Sequence, residues 1–516
     1  MLTFEFLLLL LAGAVLLSGL AKRLNVPYPT LLALAGAALA LSPVHVPLTV
    51  DPNLVLALFL APVLLDAAYD ASPRDLKANW LPLTGLVFIA VGLTTASVAW
   101  VARLLLPDLP WPAAIALGAI VSPPDAAAAT AVLRPLKLPH RIVVVLEGES
   151  LLNDASTLLI YNLALAALAA DTGVWAQALK PAFALSIVGS VILGPLLALL
   201  SPLLIQRIDS APASIVIQFV TTFGVWILAE RLGLSPVLTV VFYAMTVSRT
   251  SPGRMGARMR VPSYAVWETA VLVLNALGFV IIGLQLRPIL SAMRSSAVEE
   301  YALFAGAVLT ACIVTRLGWI ALYNASIRLK NRMLGARLPD GYKPPTTKGG
   351  LVVGWAGMRG LVTLATALAL PAGFPHRDLV LFTAFFVAVG TLTIQGLTLR
   401  PLLLMLRMPQ DTVVDGEVRR ARVAIAKAGR DAIDGEDGPE ADMLRAELLA
   451  RCQAANDAED GEGRPDLPGQ TLRRRSLRAA RRRLLQLRKE GDIGDDAFHR
   501  VEEELDFADL AVRQEE

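Results

Sequence analysis

The stretch GAIVSPPDAAAATAVLRPLKLPHRIVVVLEGESLLNDASTLLIYN, residues 118–162, decides the architecture. It covers the end of one apolar run, 111–133, and most of a second, 141–170, with Arg134, Lys137 and Arg141 around the junction. Each run matches the ~20 residues a bilayer-crossing helix requires. Both nevertheless carry acids, Asp125 in the first and Glu149 and Asp154 in the second. In Ser122-Pro123-Pro124-Asp125 two consecutive prolines withdraw N–H donors and disfavour the helical conformation before them, so the first run reads as a broken helix. Within a bilayer, broken backbone persists only where protein or a cavity satisfies the freed carbonyls.

The second run sorts its polar residues by face. At about 100° per residue, Ser150 and Asp154 (i, i+4) share one side of the helix and Glu149 and Asn153 share another, with Glu149 and Asp154 about 140° apart. One face therefore presents a carboxylate and a hydroxyl, a pairing that suits a hard monovalent cation. The other presents a carboxylate placed to pair with an arginine. Ser150 and Asn153 alone would be ordinary polar packing between membrane helices. An ionised carboxylate at bilayer depth costs about 3 kcal/mol and marks an ion pathway.

Outward from this stretch the chain divides into two materials. Residues 1–410 hold 28 Lys/Arg and 18 Asp/Glu, about one charge in nine positions, whereas residues 411–516 hold 19 and 26. A soluble domain has roughly a quarter of its residues charged, so the first part is expected in lipid and the second in water. The expected fold class is an all-α polytopic membrane protein: residues 1–406 form the transmembrane domain and 407–516 a charged, helical cytosolic tail. Thirteen apolar runs are candidate spans, the second and ninth of them short, at about 3–20, 28–42, 53–70, 80–105, 111–133, 141–170, 178–206, 211–231, 235–249, 264–286, 299–327, 349–372 and 377–406. The first has its positive charges, Lys22 and Arg23, after the apolar run, the arrangement of a retained helix with its N-terminus outside. Alternate loops then carry 18 Lys/Arg on the cytosolic side against 6 on the other, and the tail falls in the cytosol.

Six ionisable residues stand out inside the runs: Asp66, Asp125, Glu149, Asp154, Arg316 and Arg359. Four acids against two arginines fit a cation site only partly balanced from within. In the twelfth run Gly354, Gly357 and Gly360 surround Arg359, a second interrupted span. One broken segment in each half fits the inverted repeats of secondary transporters, with the substrate site near the midplane.

At these residues the chain resembles the electroneutral monovalent cation:proton antiporters, the group that includes bacterial NhaP-type proteins and animal sodium–proton exchangers. The matching stretches are FLAPVLLDAAYD (59–70), GAIVSPPDAAAATAVLRPLKLPHRIVVVLEGESLLNDAS (118–156), VWETAVLVLNALGFVIIGLQL (266–286), GMRGLVTLATALALP (357–371) and TIQGLTLRPLL (393–403). The resemblance implies an NhaA-like antiporter fold with about 13 transmembrane helices, inverted repeats and two broken helices. It implies Asp154 as the essential carboxylate that takes either a cation or a proton, Ser150 as a hydroxyl ligand, Asp66 as an acid near the ion and the carbonyl of Pro124 as a backbone ligand. It further implies a hydrogen bond from Asn153 to Asp125, a Glu149 partner on helix eleven, for which Arg316 is the candidate, and Arg359 in the broken twelfth helix. Electrogenic relatives carry Asp where this chain has Asn153, so exchange of one charge for one is expected. The family often has threonine before the helix-five aspartate; here that position is Pro124, and only its carbonyl is available.

The expected activity is exchange of Na⁺, or Li⁺, for H⁺ by alternating access at one carboxylate, with Na⁺ at Asp154, Ser150 and Asp66, serving pH and sodium homeostasis in the cell membrane. A K⁺/H⁺ exchanger is the alternative, since oxygen ligands do not separate the alkali ions. A passive channel would need a repeated pore loop or ring of acids, an ATP-driven pump a Walker motif, and an enzyme a catalytic cluster; none is visible in the sequence. No cofactor motif occurs, and Cys312 and Cys452 lie in different materials. Resemblance implies a homodimer. In the tail, 454–470 reads as loop, nine Arg/Lys lie between Arg473 and Lys489, and an acidic arm contains Glu502, Glu503 and Glu504. Pairing of basic and acidic arms is the first expectation and contact with anionic lipid the second. A net-negative tail without a recognition motif does not fit nucleic acid.

Overall fold

In the computed structural model the described residues are 2–42, 56–133, 138–169, 181–205, 208, 210–250, 256–293, 298–334, 346–408, 413–457, 470–490, 501 and 504–508. Among them the regular structure is entirely helical. The first apolar runs form α1 (Leu2–Leu24), α2 (Tyr28–Leu41) and a π-turn, Leu56–Leu60, that leads into α3 (Ala61–Asp70). A short connecting helix, α4 (Pro73–Ala78), is capped by Ser72, whose hydroxyl accepts from the Asp75 N–H at 3.3 Å. It precedes α5 (Trp80–Leu105). The fifth run breaks where the prolines require it, into α6 (Trp111–Val121) and α7 (Ala126–Leu133). Next come α8 (His140–Ala169), α9 (Pro181–Ile205), α10 (Ala211–Arg231), α11 (Pro236–Thr250), α12 (Ala257–Leu284), α13 (Leu286–Ala292) and α14 (Val298–Leu334). The twelfth run is likewise divided, into α15 (Thr347–Trp355) and α16 (Leu361–Leu368), before α17 (Arg377–Leu406).

Helix thus occupies each of the thirteen apolar runs. Among the described residues seven helices are long and apolar enough to cross a bilayer alone, α5, α8, α14 and α17 among them. Two boundaries lie more than four residues from the apolar runs. The tenth run is helical from Ala257, ahead of residue 264, and the eleventh continues to Leu334, past residue 327. Helix propensity carries both beyond their apolar cores, because hydropathy marks what lipid tolerates and not where backbone hydrogen bonding stops.

Two apolar clusters meet along α8. The larger includes Leu117 and Ile120 of α6, Val145 and Leu146 of α8, Val308 of α14, and Leu392 and Leu399 of α17. The second joins Leu64 of α3 and Leu151 and Ala155 of α8 to Val225 of α10 and Val240 and Tyr243 of α11. In the larger cluster α2 and α12 cross in backbone contact at Gly36 and Gly283: a Cβ at either would run into the carbonyl oxygen of Val280 or Ala33. Small residues at such crossings let membrane helices gain dispersion contact where no hydrophobic drive separates helix from lipid.

The chain divides into two compact units, Met1–Pro409 and Gln410–Glu516. In the second, α18 (Val413–Asp431) and α19 (Pro439–Asp457) form a hairpin, and α20 (Gln470–Glu490) carries the basic run. Of the expected loop at 454–470, residues 454–457 belong to α19 and Gln470 begins α20, while 458–469 lie outside the described residues. Glu502 and Glu503 of the acidic arm lie outside the described residues.

Candidate functional site

The two broken segments cross each other at their breaks. The Asp125 N–H donates to the Met358 carbonyl at 2.6 Å, so each break supplies backbone partners for the other. The Asp125 carboxylate accepts from the Ala127 N–H at 2.8 Å and also from the N–H groups of Ala128 and Leu361, which places it at the N-termini of both α7 and α16. Gly360 is required there, since a Cβ would collide with that carboxylate. Arg359 does the converse. Fully buried, it donates from Nε to the Val121 carbonyl at 3.0 Å and from a terminal nitrogen to the Gly357 carbonyl, so its charge faces the C-terminal ends of α6 and α15. An anion at helix N-termini and a cation at helix C-termini each oppose the local dipole, which is how four half-helix ends can meet in an apolar interior.

Behind the crossing, Arg316 of α14 forms a bidentate pair with Glu149, at 2.5 and 2.8 Å, and donates to the Val353 carbonyl at 3.0 Å. Both side chains are almost completely buried, and Gly357 leaves room for the guanidinium to pass. The Arg316 partner expected for Glu149 is the one the structure brings to it. Asn153 differs from the expectation. Its amide donates to the Pro124 carbonyl at 3.1 Å and not to Asp125, because the Asp125 carboxylate is turned toward the helix N-termini. Asn153 Oδ1 has no partner among the described residues.

In front of the crossing lies a cavity of 1410 Å³. Asp66 of α3, Pro124 and Asp125 of the first break, and Ser150 and Asp154 of α8 all line it. The expected ion-binding residues are thus brought to one space, while Glu149, Asn153, Arg316 and Arg359 form its support. Asp154 is 4% exposed and has no basic partner among the described residues, both nearby arginines being engaged elsewhere.

The set of six ionisable residues was incomplete. Glu147, Glu268 and Arg400 also fall within the apolar runs, and they line the cavity with Asp70 and Arg260. Glu147 had a legible signal: with Ser150 and Asp154 it forms an i, i+3, i+7 row, one stripe of α8 that faces the cavity together. For Glu268 there was none, since no second acid shares its helix and only the approach of α12 to the cavity gives it a role.

A family model described as the transmembrane sodium/hydrogen exchanger matches residues 7–405. The chain belongs to this family. Over 98% of its length the exchanger is 30% identical to a protein named as an uncharacterised Na⁺/H⁺ exchanger in Mycobacterium tuberculosis, 95% of which is covered. It is 27% identical to the protein named as the uncharacterised Na⁺/H⁺ exchanger YjcE of Escherichia coli, with 99% of both chains covered. A Bacillus pumilus relative named as a sodium, potassium, lithium and rubidium/H⁺ antiporter is 30% identical over 73% of this chain and 58% of its own length. The fold of the exchanger is similar to that solved for the sodium proton antiporter MjNhaP1 of Methanocaldococcus jannaschii, with a TM-score of 0.58 at 17% identity, covering 79% of this chain and 99% of that one.

Proposed function

We propose that this exchanger moves Na⁺, or Li⁺, against H⁺ by alternating access, one charge for one, with Asp154 as the carboxylate for which the two ions compete. The observation that carries the reading is Asp154 itself, buried at the wall of the cavity without a basic partner among the described residues. Such a carboxylate is stabilised at membrane depth when a cation accompanies it or when it is protonated, so one group couples two opposing fluxes. Ser150, Asp66 and the Pro124 carbonyl are the proposed cation ligands; the carbonyl keeps a lone pair beyond the one that accepts from Asn153. Asn153 in place of a second carboxylate supports the one-for-one stoichiometry. The crossing held by Asp125 and Arg359 supplies the rigid element that rocks, and Arg316 fixes the charge of Glu149 so that it does not compete for the ion. The proposed setting is the cell membrane, with the N-terminus outside, the tail in the cytosol and two copies per assembly.

A K⁺/H⁺ reading is favoured by one observation, that relatives from Bacillus pumilus and Bacillus subtilis are named for sodium, potassium, lithium and rubidium together. Reconstitution in liposomes with a pH-sensitive dye separates these readings when Na⁺, K⁺, Li⁺ and choline are added in turn. Na⁺ and Li⁺ are expected to move protons and choline not; a response to K⁺ alone selects the alternative. Repeating the assay under a clamped membrane potential tests the stoichiometry, and a rate that follows the potential overturns it.

A further inference from the structure

The hydroxyl absent from the fifth helix has a counterpart on the twelfth. Of the buried side-chain atoms without a hydrogen-bond partner among the described residues, Thr363 Oγ1 is the one whose residue lines the cavity that holds Asp154. Thr363 is 1% exposed. The other described threonine hydroxyls on the cavity wall are satisfied by backbone: Thr130 donates to Ala127, Thr221 to Ile217 and Thr222 to Gln218. A helical threonine ordinarily bonds the carbonyl three or four residues earlier. For Thr363 those residues are Gly360 and Arg359, which belong to the break and present no helical carbonyl.

Position narrows its role. Thr363 lies in the first turn of α16, beside the point where Gly360 packs on the Asp125 carboxylate. Its neighbour Val362 packs against the cluster that holds Leu151 and Ala155, the residues flanking Asp154 on α8. From Asp154 the connection runs through Asn153 to the Pro124 carbonyl, on to Asp125, and across to Gly360. This lone buried hydroxyl lies within one helical turn of that chain, on a residue that lines the cavity where the cation is proposed to sit. Leaving such a group unpaired is unfavourable, and a ligand in the cavity relieves that penalty.

We infer that Thr363 supplies a hydroxyl ligand to the alkali cation opposite Asp154, so that the second broken helix provides the oxygen that the Pro124 position of the first does not. The inference rests on the antiport reading and assigns one more ligand to the same site. Because a hydroxyl is neutral, Thr363 contributes to cation binding and not to the protonation of Asp154. Its loss is therefore expected to weaken the cation while the proton side of the competition stays.

The test is cation-dependent proton movement in proteoliposomes, comparing wild type, Thr363→Val and Thr363→Ser over a range of Na⁺ concentration and pH. Thr363→Val is expected to raise the half-saturating Na⁺ concentration roughly threefold to tenfold, the range for removing one uncharged polar partner. At saturating Na⁺ its pH profile is expected to match wild type, and Thr363→Ser should restore the affinity. Binding of radioactive ²²Na⁺ to the purified proteins supplies a readout independent of turnover. If Thr363→Val binds Na⁺ as wild type does, the hydroxyl is only hydrated by the cavity and the inference is overturned. If Thr363→Ser is as impaired as Thr363→Val, packing is the cause and the inference is again overturned. Failure of the wild-type protein to move protons in response to any alkali ion would instead overturn the antiport reading.

Discussion

Two faces of α8 carry carboxylates five residues apart, and they meet opposite fates. Glu149 and Asp154 are nearly equally buried, at 1% and 4% exposure. Burial does not distinguish them; their partners do. Glu149 faces a guanidinium that grips both of its oxygens, whereas Asp154 faces a cavity. A buried charge with a fixed counter-charge is structural, because removing either member strands the other. One whose counter-charge must arrive from solution has the character required of the exchange site proposed above.

This contrast can be broken most directly at Asp154. Asp154→Asn is expected to abolish cation-driven proton movement in proteoliposomes while the protein stays folded; undiminished exchange would move the site elsewhere. On the other face the expected effect is on stability. Glu149→Gln leaves Arg316 buried without its anion and should lower the unfolding free energy by about 3–5 kcal/mol, read as an earlier thermal transition in detergent. Adding Arg316→Met should recover much of that loss, and a double variant no better than the single one would show that the pair is not the source.

Smaller effects refine the cavity face. Glu147 shares the stripe of Asp154, two turns nearer the start of α8, and Glu147→Gln should slow exchange at low Na⁺ while approaching the wild-type rate at saturation. A loss equal to that of Asp154→Asn would make it part of the exchange site itself. The smallest effect is expected outside the membrane domain's core. Burial pushes the Asp75 carboxyl of α4 up, but hydrogen bonds with His140 and Ser72 and the charge of Arg74 outweigh it and hold the group below its ordinary 3.8. A carboxyl lowered in the folded state adds stability that is fully present above 3.8 and fades as pH falls through the folded-state value. Asp75→Asn should therefore lower the thermal transition slightly at neutral pH, with the difference from wild type closing under strong acid. A gap that widens on acidification would reverse the sign of this linkage.

Much of the molecule was legible in its residues. The Pro123-Pro124 pair ends α6 because two N–H groups are missing, whatever surrounds them, and the glycines near Arg359 mark the second break. Periodicity separated Glu149 from Asp154 by angle alone, since a helix fixes side-chain directions locally. Sequence could not give the bond of Asn153 to the Pro124 carbonyl, nor the commitment of Arg359 to the carbonyls of Val121 and Gly357, because each joins segments whose approach depends on packing of the whole bundle. Thr363 reads in sequence as one more threonine in an apolar helix.

By itself, then, the sequence determined the helices, their breaks and the family, for these follow from hydrophobic run length, proline chemistry and motif. Tertiary structure alone decided which charges are neutralised and which oxygens face the cavity. The physical reason is that desolvation and counter-charge act over a few ångströms in space, between residues such as Glu149 and Arg316 that stand 167 positions apart in the chain.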